Sequence, residues 1–370
     1  MKYYLIAGER SGDTHAAHLL RELQGQDPAA DFRYWGGDQM EAVGGHLVRH
    51  YRDLAVMGFW ETATSLLKFR GYLKACQADI LTYHPDVLIL VDYGGFNLRM
   101  AAWAKAQGIK VFYYISPKIW AWNQQRSEKI KAYVDRMFVI LPFEEEFYQR
   151  FDYKVDYIGN PTADEVATFQ PDPGFMARHG LDPARKIIAV LPGSRKQEIE
   201  EMLHEMLAVL PAFQDYQFVV AAVSNLDRGY YQHFERNGIK LVFDQAFDLL
   251  SRASAALVTS GTATLEAALF DVPQVVCYRT SGLTYMIGKA VIKVPYISLV
   301  NLIVGHTVVE EFIQGDFTAR NLLDELKRLL TDDPYIARQK VGYAQLRQKL
   351  GQHSAAKQAA TLMVKYLQEA

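Results

Sequence analysis

Residues 255–269 read AALVTSGTATLEAAL, an apolar run typical of a strand that gives way within a few positions to a run typical of a helix. Strands that turn directly into helices predict a parallel sheet with helices on both faces. The first N–H groups of such a helix have no partners within it, and its dipole places positive charge there. The turn is therefore expected to bind a phosphate group, and a capped helix start without a ligand is the alternative interpretation.

The same alternation of short apolar runs with helical patterns extends along the whole chain. It predicts an α/β protein with two doubly wound parallel sheets. Proline and glycine punctuate residues 159–174, so we place the domains at 1–165 and 166–345 and expect the segment 346–370 to return to the body as a helix. The apolar runs lie at residues 3–7, 87–91, 111–115, 137–141, 187–191, 218–223, 241–243, 255–258 and 274–278.

Composition excludes several classes of protein. At 370 residues, half of them apolar, the chain is long enough for two hydrophobic cores. Its 40 basic and 42 acidic residues leave no excess positive charge for nucleic acid. The two cysteines, Cys76 and Cys277, are far apart and favour a reducing compartment. No apolar run has the length of a membrane span or the pattern of a signal peptide, so a cytoplasmic location is expected.

A second turn of the same kind follows the apolar run 187–191. Gly193 permits close backbone approach, Ser194 can donate a hydrogen bond, and Arg195 carries a guanidinium fork that matches phosphate oxygens. A surface basic pair after a turn is the alternative interpretation. Two anion-binding turns at the carboxyl edge of one sheet favour a nucleotide diphosphate as the ligand.

The motifs that the chain lacks limit the class of nucleotide that it could bind. The chain lacks the G-x-G-x-x-G spacing of dinucleotide enzymes and the G-x-x-x-x-G-K-[ST] spacing of P-loop proteins, so a sugar nucleotide remains. It has no Asp-x-Asp pair, and its Cys and His residues are not spaced as metal ligands. We therefore expect neither a metal nor a cofactor.

Six longer motifs resemble those of the lipid-A-disaccharide synthases, glycosyltransferase family 19. They are GERSGD (8–13), YISPKIWAW (114–122), LPFE (141–144), LPGSR (191–195), SGTATLE (260–266) and SLVNL (298–302). The resemblance implies the GT-B fold, in which two Rossmann-like domains face a central cleft and the C-terminal helices pack back. It implies an inverting transfer that joins UDP-2,3-diacylglucosamine to 2,3-diacylglucosamine 1-phosphate (lipid X), giving lipid A disaccharide 1-phosphate and UDP.

The resemblance also implies partners and a location. The partners are the two lipid substrates and, in a homodimer, a second copy of the chain; nucleic acid is not among them. The location is the cytoplasmic surface of the inner membrane of a Gram-negative bacterium, to which the protein would bind peripherally.

An inverting transfer needs a base that removes a proton from the acceptor hydroxyl. Asp92 is the first candidate, because it ends the apolar run 87–91 and precedes Gly94 and Gly95, which leave room for a substrate. Glu9 and Asp13 are the other candidate bases. For all three carboxylates, capping of a loop or a helix is the alternative interpretation.

The other expected site residues fall into two groups. The residues expected to bind the acceptor substrate are Ser11, Gly12, Asn97, Ser116 and Asn301. The residues expected to bind UDP are Gly193, Ser194, Arg195, Ser260, Gly261, Thr262, Thr264, Glu266 and Arg279. Within the second group, the resemblance implies that Arg195 binds the diphosphate and Glu266 the ribose.

Acyl chains require an apolar surface, and one segment offers it beside basic residues. Large apolar residues interleaved with Lys68, Arg70 and Lys74 predict peripheral contact with an anionic bilayer. A helix packed on its own domain is the alternative interpretation. The apolar residues of this segment are Met57, Phe59, Trp60, Leu66, Leu67 and Phe69.

Two other functions remain open from the sequence. One is a different UDP-sugar enzyme, such as an epimerase or a transferase with a soluble acceptor, and the other is a non-catalytic module that binds a UDP-sugar. Release of UDP that depends on a lipid acceptor would separate both from the lipid-linked transferase. Trp120 and Trp122 have no evident chemistry, and we expect them to pack.

Overall fold

The computed structural model forms two compact units. It describes residues 1–55, 63–224, 226, 228–235, 239–282, 285, 294–352 and 354–369. The first unit comprises Met1–Pro161 together with Gln352–Ala370, and the second comprises Thr162–Gly351. The boundary expected between residues 165 and 166 falls inside a helix, Pro161–Thr168, that begins where the chain enters the second unit.

The first unit contains a seven-stranded parallel sheet in the order β3-β2-β1-β4-β5-β6-β7. The central strand β4 has the sequence VLILV and is buried along its whole length, because helices cover both faces of the sheet. The strands are β1 (Lys2–Ala7), β2 (Asp31–Gly36), β3 (His46–His50), β4 (Val87–Val91), β5 (Lys110–Tyr114), β6 (Arg136–Val139) and β7 (Asp156–Tyr157). The helices up to the boundary are α1 (Arg10–Gln26), α2 (Asp38–Val43), α3 (Arg52–Ala55), α4 (Ala63–Tyr83), α5 (Gly94–Ala106), α6 (Ile119–Trp122), α7 (Arg126–Tyr133) and α8 (Phe143–Gln149).

The second unit contains a six-stranded parallel sheet in the order β10-β9-β8-β11-β12-β13. The strands are β8 (Ile187–Leu191), β9 (Gln217–Ala222), β10 (Lys240–Phe243), β11 (Ala253–Thr259), β12 (Gln274–Tyr278) and β13 (Glu311–Ile313). The helices are α9 (Pro161–Thr168), α10 (Phe175–Arg178), α11 (Lys196–Leu207), α12 (Arg228–Glu235), α13 (Ala246–Leu250), α14 (Thr262–Leu269), α15 (Leu299–Val304), α16 (Ala319–Thr331) and α17 (Asp333–Leu350). Two doubly wound parallel sheets confirm the predicted fold class.

The last helix, α18 (Ala355–Gln368), belongs to the first unit. Its residues Ala359, Ala360 and Met363 share a buried cluster with Leu20 of α1. Near its end, the hydroxyl of Tyr366 donates to the carboxylate of Asp156 at 3.1 Å. The chain thus starts and ends in the same unit.

Two further expectations concern thiols and membranes. Cys76 and Cys277 are both free and buried. In the part of the chain that the structure describes, no helix combines the length and the apolar character that crossing a bilayer would require.

Candidate active site

Three predicted residues of the first unit follow neighbouring strands. Strands β1, β4 and β5 pair in register, with Ala7 opposite Val91 and Val91 opposite Tyr114. Glu9, Asp92 and Ser116 come directly after these strands. Since the strands are parallel, their carboxyl ends meet at one edge of the sheet, which is the edge where doubly wound sheets bind ligands.

The backbone at Asp92 has an unusual conformation. Asp92 and Tyr93 have φ angles of 44° and 47°, in the left-handed region that costs roughly 1–2 kcal/mol for each residue with a Cβ. Hydrogen bonds hold this turn: the hydroxyl of Tyr113 donates to the carbonyl of Asp92 at 2.5 Å, and the amide of Asn97 donates to the carbonyls of Val91 and Asp92 at 3.1 and 2.9 Å. Strain of this kind is often found at functional sites.

The side chain of Asp92 has the electrostatic properties of a base. Burial and the negative charge of Glu9 raise its pKa to about 6, while Lys118 and the N–H of Tyr93 act in the opposite direction. A carboxyl group with a pKa near neutrality is better suited to accept a proton than a free aspartate is. Asp92 is therefore the strongest base candidate of this unit.

Asp13 has a different role in the structure. It is buried, and its carboxylate accepts hydrogen bonds from the N–H groups of Gly37, Gln39 and Met40 at 2.7, 3.0 and 3.2 Å. These N–H groups lie at the start of α2, so Asp13 caps that helix rather than its own. Glu9 precedes α1, and its side chain makes no capping hydrogen bond there. Glu9 is thus the better second candidate.

The residues expected to bind the acceptor are mostly buried. Ser11 is exposed, whereas Gly12 packs against Ala7. Asn97 is fully buried and is engaged by the backbone carbonyls at the end of β4, so we reassign it from substrate contact to positioning of Asp92. Ser116 is also buried, with its hydroxyl 2.7 Å from that of Tyr148.

Asn301 in the second unit is likewise committed to the backbone. It is fully buried; its amide nitrogen donates to the carbonyl of Val309 and to Glu311, both at 2.9 Å. Its amide oxygen accepts from the N–H groups of Val308 and Val309 at 2.8 and 3.1 Å. The expected substrate contact of Asn301 is therefore corrected to a structural role in the turn after α15, because a side chain with four such bonds has none left for a ligand.

The two predicted phosphate turns meet at one edge of the second sheet. Strands β8 and β11 are neighbours, with Leu191 opposite Val258. Gly193 and Gly261 follow them with φ angles of 105° and 145°, values that side chains with a Cβ rarely adopt. Helices α11 and α14 start directly after these turns, so the positive ends of two helix dipoles lie at the same edge.

The polar side chains of these turns divide into two groups. Thr262, Ser194 and Arg195 are exposed and accessible to a ligand. By contrast, Ser260 donates to the carbonyl of Ile297 at 2.8 Å. Thr264 is fully buried and donates to the carbonyl of Gly261 at 2.8 Å, so it shapes the turn.

The two remaining residues expected to bind UDP differ in character. Burial and the neighbouring Glu165 raise the pKa of Glu266 to about 7. Arg279 forms an ion pair with Glu205 at 3.0 Å, and its guanidinium lies 4.9 Å from the centre of the Phe317 ring. Arg279 thus already has partners within the unit, and its expected role in UDP binding stays a prediction.

The segment expected to meet acyl chains is described in part. Met57, Phe59 and Trp60 lie outside the described residues, and Leu66 lies in α4. Leu67 is 67% exposed. Phe69 packs edge-on against Phe96 with 5.7 Å between ring centres, as the alternative interpretation predicts for this residue. Among the described residues, no group of His, Cys, Asp and Glu side chains could hold a metal ion.

Comparisons with known proteins agree with the motifs. A family model described as lipid-A-disaccharide synthetase matches residues 3–365. A lipid-A-disaccharide synthase from Geobacter metallireducens is 36% identical, covering 98% of this chain and 96% of the relative. One from Myxococcus xanthus is 38% identical, covering 98% and 97%.

Solved structures show the same fold. The UDP-GlcNAc 2-epimerase from Neisseria meningitidis bound to UDP-GlcNAc aligns over both whole chains with a TM-score of 0.67 at 13% identity. The calicheamicin glycosyltransferase CalG4 aligns with a TM-score of 0.62 at 16% identity, covering 100% of this chain and 98% of the other. At such low identity the likeness establishes the GT-B fold alone.

The contact between Gly8 and Tyr93 gives a prediction about the Asp92 turn. A Cβ atom at position 8 would lie 2.2 Å from the Tyr93 ring, so Gly8→Ala must displace that ring and should destabilise the first unit by about 1–3 kcal/mol. Gly95→Ala is the control, because a Cβ there meets nothing within 4 Å and sits in α5, where alanine is favoured. Thermal unfolding measures both variants, and equal transition temperatures would contradict the packing of Tyr93 on Gly8.

Proposed function

The chain belongs to the lipid-A-disaccharide synthase family, and we propose from this premise how its residues carry out the reaction. It is a glycosyltransferase that forms the lipid A disaccharide. We propose that the donor is UDP-2,3-diacylglucosamine and the acceptor is lipid X. An epimerase has the same fold, but a likeness at 13% identity says nothing about activity.

Asp92 is the proposed general base. In the step we envisage, its carboxylate takes the proton of the acceptor's 6-hydroxyl as that oxygen attacks the anomeric carbon of the donor. The bond from this carbon to the diphosphate breaks, and UDP leaves with the electron pair, so the configuration is inverted. The observation that carries this proposal is the partly buried carboxyl group of Asp92 at the ligand-binding edge, with a pKa of about 6.

The second unit is the proposed UDP site. Arg195 and the N-terminal ends of α11 and α14 would hold the diphosphate and stabilise its charge as it leaves. Gly193, Gly261 and the exposed hydroxyl of Thr262 belong to the same edge. Glu266 would accept hydrogen bonds from the ribose.

The proposed place of action is the cytoplasmic surface of the inner membrane. Helix α4 supports it, because Leu67, Arg70 and Lys74 are all exposed and lie three and seven positions apart, on one helical face. An apolar residue beside two cations suits the surface of an anionic bilayer. The homodimer stays a prediction of the resemblance.

Replacing Asp92 tests the base directly. Asp92→Asn should lower kcat for UDP release with both lipid substrates by at least ~100-fold, because a general base contributes that much or more. Binding of UDP, measured by calorimetry, should not change. Asp152→Asn is the matched control: Asp152 also has a left-handed φ, of 51°, and its side chain is exposed. Full activity of Asp92→Asn would move the role of base to Glu9.

Replacing Glu9 tests the electrostatics of the base. The negative charge of Glu9 raises the pKa of Asp92, so Glu9→Gln should lower that pKa. Activity needs the carboxylate form and is lost as the pH falls through its pKa, which is about 6 in the unaltered protein. The acid limb of the pH–rate profile should therefore start near pH 6 and move to lower pH in Glu9→Gln. An upward movement would contradict the assignment.

Neutralising α4 tests the membrane proposal. Arg70→Gln/Lys74→Gln should weaken binding to vesicles that contain anionic lipid by roughly 10- to 30-fold, at about 1 kcal/mol per charge. Lys327→Gln/Lys340→Gln is the control, with the same change in charge on exposed positions of α16 and α17. Co-sedimentation with vesicles measures both. Equal binding by the two double variants would rule out α4 as the contact surface.

A further inference from the structure

Trp120 is hydrogen-bonded to a buried carboxyl group. The proposed reaction gives this tryptophan no role. Its indole N–H donates to Glu144 Oε1 at 3.1 Å, and both side chains are almost completely buried. The other oxygen of Glu144 accepts from the N–H groups of Ile140 and Leu141 at 3.2 and 3.0 Å. Glu144 thus joins the segment after β5 to the segment after β6.

A second hydrogen bond joins the same two segments one helical turn further along. The hydroxyls of Ser116 and Tyr148 lie 2.7 Å apart and are buried. Glu144 and Tyr148 are four positions apart in α8, so they lie on the same face of that helix. Residues 115–122 are therefore attached to α8 at both ends, through Ser116 and through Trp120.

The attached segment adjoins the Asp92 turn. A Cβ placed at Gly94 would lie 2.9 Å from the Cβ of Pro117, so this proline packs directly on the start of α5. Lys118 comes next, and its side chain is exposed. Its positive charge stabilises the carboxylate form of Asp92.

We propose that Glu144 and Tyr148 are positioning residues, which act through Trp120 and Ser116 to hold residues 115–122, and Lys118 with them, against the turn at Asp92. The proposal rests on the proposed function, in which Asp92 is the base. It gives the buried part of the YISPKIWAW motif a task in the reaction without contact to a substrate.

The charged and titratable groups around Asp92 set the direction of the effect. Glu9 in the turn after β1 and Lys118 in the attached segment both act on it through their charge, and the hydroxyl of Tyr113 of β5 donates to its carbonyl. Glu9 raises the pKa of Asp92 and Lys118 lowers it. When residues 115–122 are released, Lys118 is no longer held in place and the pKa of Asp92 rises. The acid limb of the pH–rate profile then moves to higher pH, opposite to the effect of Glu9→Gln.

The experiment compares pH–rate profiles of UDP release for Trp120→Phe, Tyr148→Phe and Lys118→Gln. Each should move the acid limb upward by on the order of half a pH unit, because water screens part of the charge of the exposed lysine. Adding Trp120→Phe to Lys118→Gln should cause no further shift, since both remove the same interaction.

The control is Tyr34→Phe. The hydroxyl of Tyr34 donates to the carbonyl of Gly44 at 3.1 Å, so this variant loses a hydrogen bond of a buried tyrosine in the same unit, on β2 rather than on α8 or residues 115–122. A loss of stability alone would leave the acid limb of all variants in place and would overturn the proposal. A shift in Lys118→Gln that is absent from both Trp120→Phe and Tyr148→Phe would also overturn it. Failure of the base assignment is recognised separately, by an active Asp92→Asn.

Discussion

All the described strands of each sheet run in the same direction, and this constraint decides where chemistry can occur. A parallel sheet has both faces covered by helices, so the side chains on its faces are used for packing. The loops that follow the strands then meet at a single edge, however distant they are in sequence. In this way Glu9, Asp92 and Ser116 come to one edge of the first sheet. The turns at Gly193 and Gly261 come to one edge of the second.

The central strands of the first sheet could be predicted, whereas two strands at one side of it could not. Strands such as β4, with the sequence VLILV, are buried on both faces and consist of apolar residues alone. Strands β2 and β3, with the sequences DFRYWG and HLVRH, lie at one side of the sheet and carry charged residues, so no apolar run reveals them. The sequence predicts that the C-terminal segment returns to the body as a helix, but not that it completes the first unit, where α18 packs against α1. Pairings over such a distance leave no local pattern.

At the site, the sequence predicts the positions of the turns well. It predicts less well which side chains face a ligand. The glycines at 193 and 261 adopt the backbone angles that their turns require. Asp13, however, binds N–H groups that begin 24 positions away, and Asn301 binds its own loop. The sequence does not reveal whether a polar side chain faces water or a distant backbone group. Glu144 shows the same limit. It begins a run of three glutamates, which gives no sign in the sequence that the first of them is buried in the fold.

The path of the chain between the two units sets an order for folding during synthesis. The second unit is continuous, from Thr162 to Gly351, so all of its residues are available before the last helix is made. The first unit is not continuous: its buried cluster includes Ala359, Ala360 and Met363. Although its N-terminal part leaves the ribosome first, its core stays incomplete until α18 is released, and the apolar surface of α1 is uncovered in the meantime. The unit that carries Asp92 is then the last to reach its native state, so the proposed base is in place only after the second unit has been made.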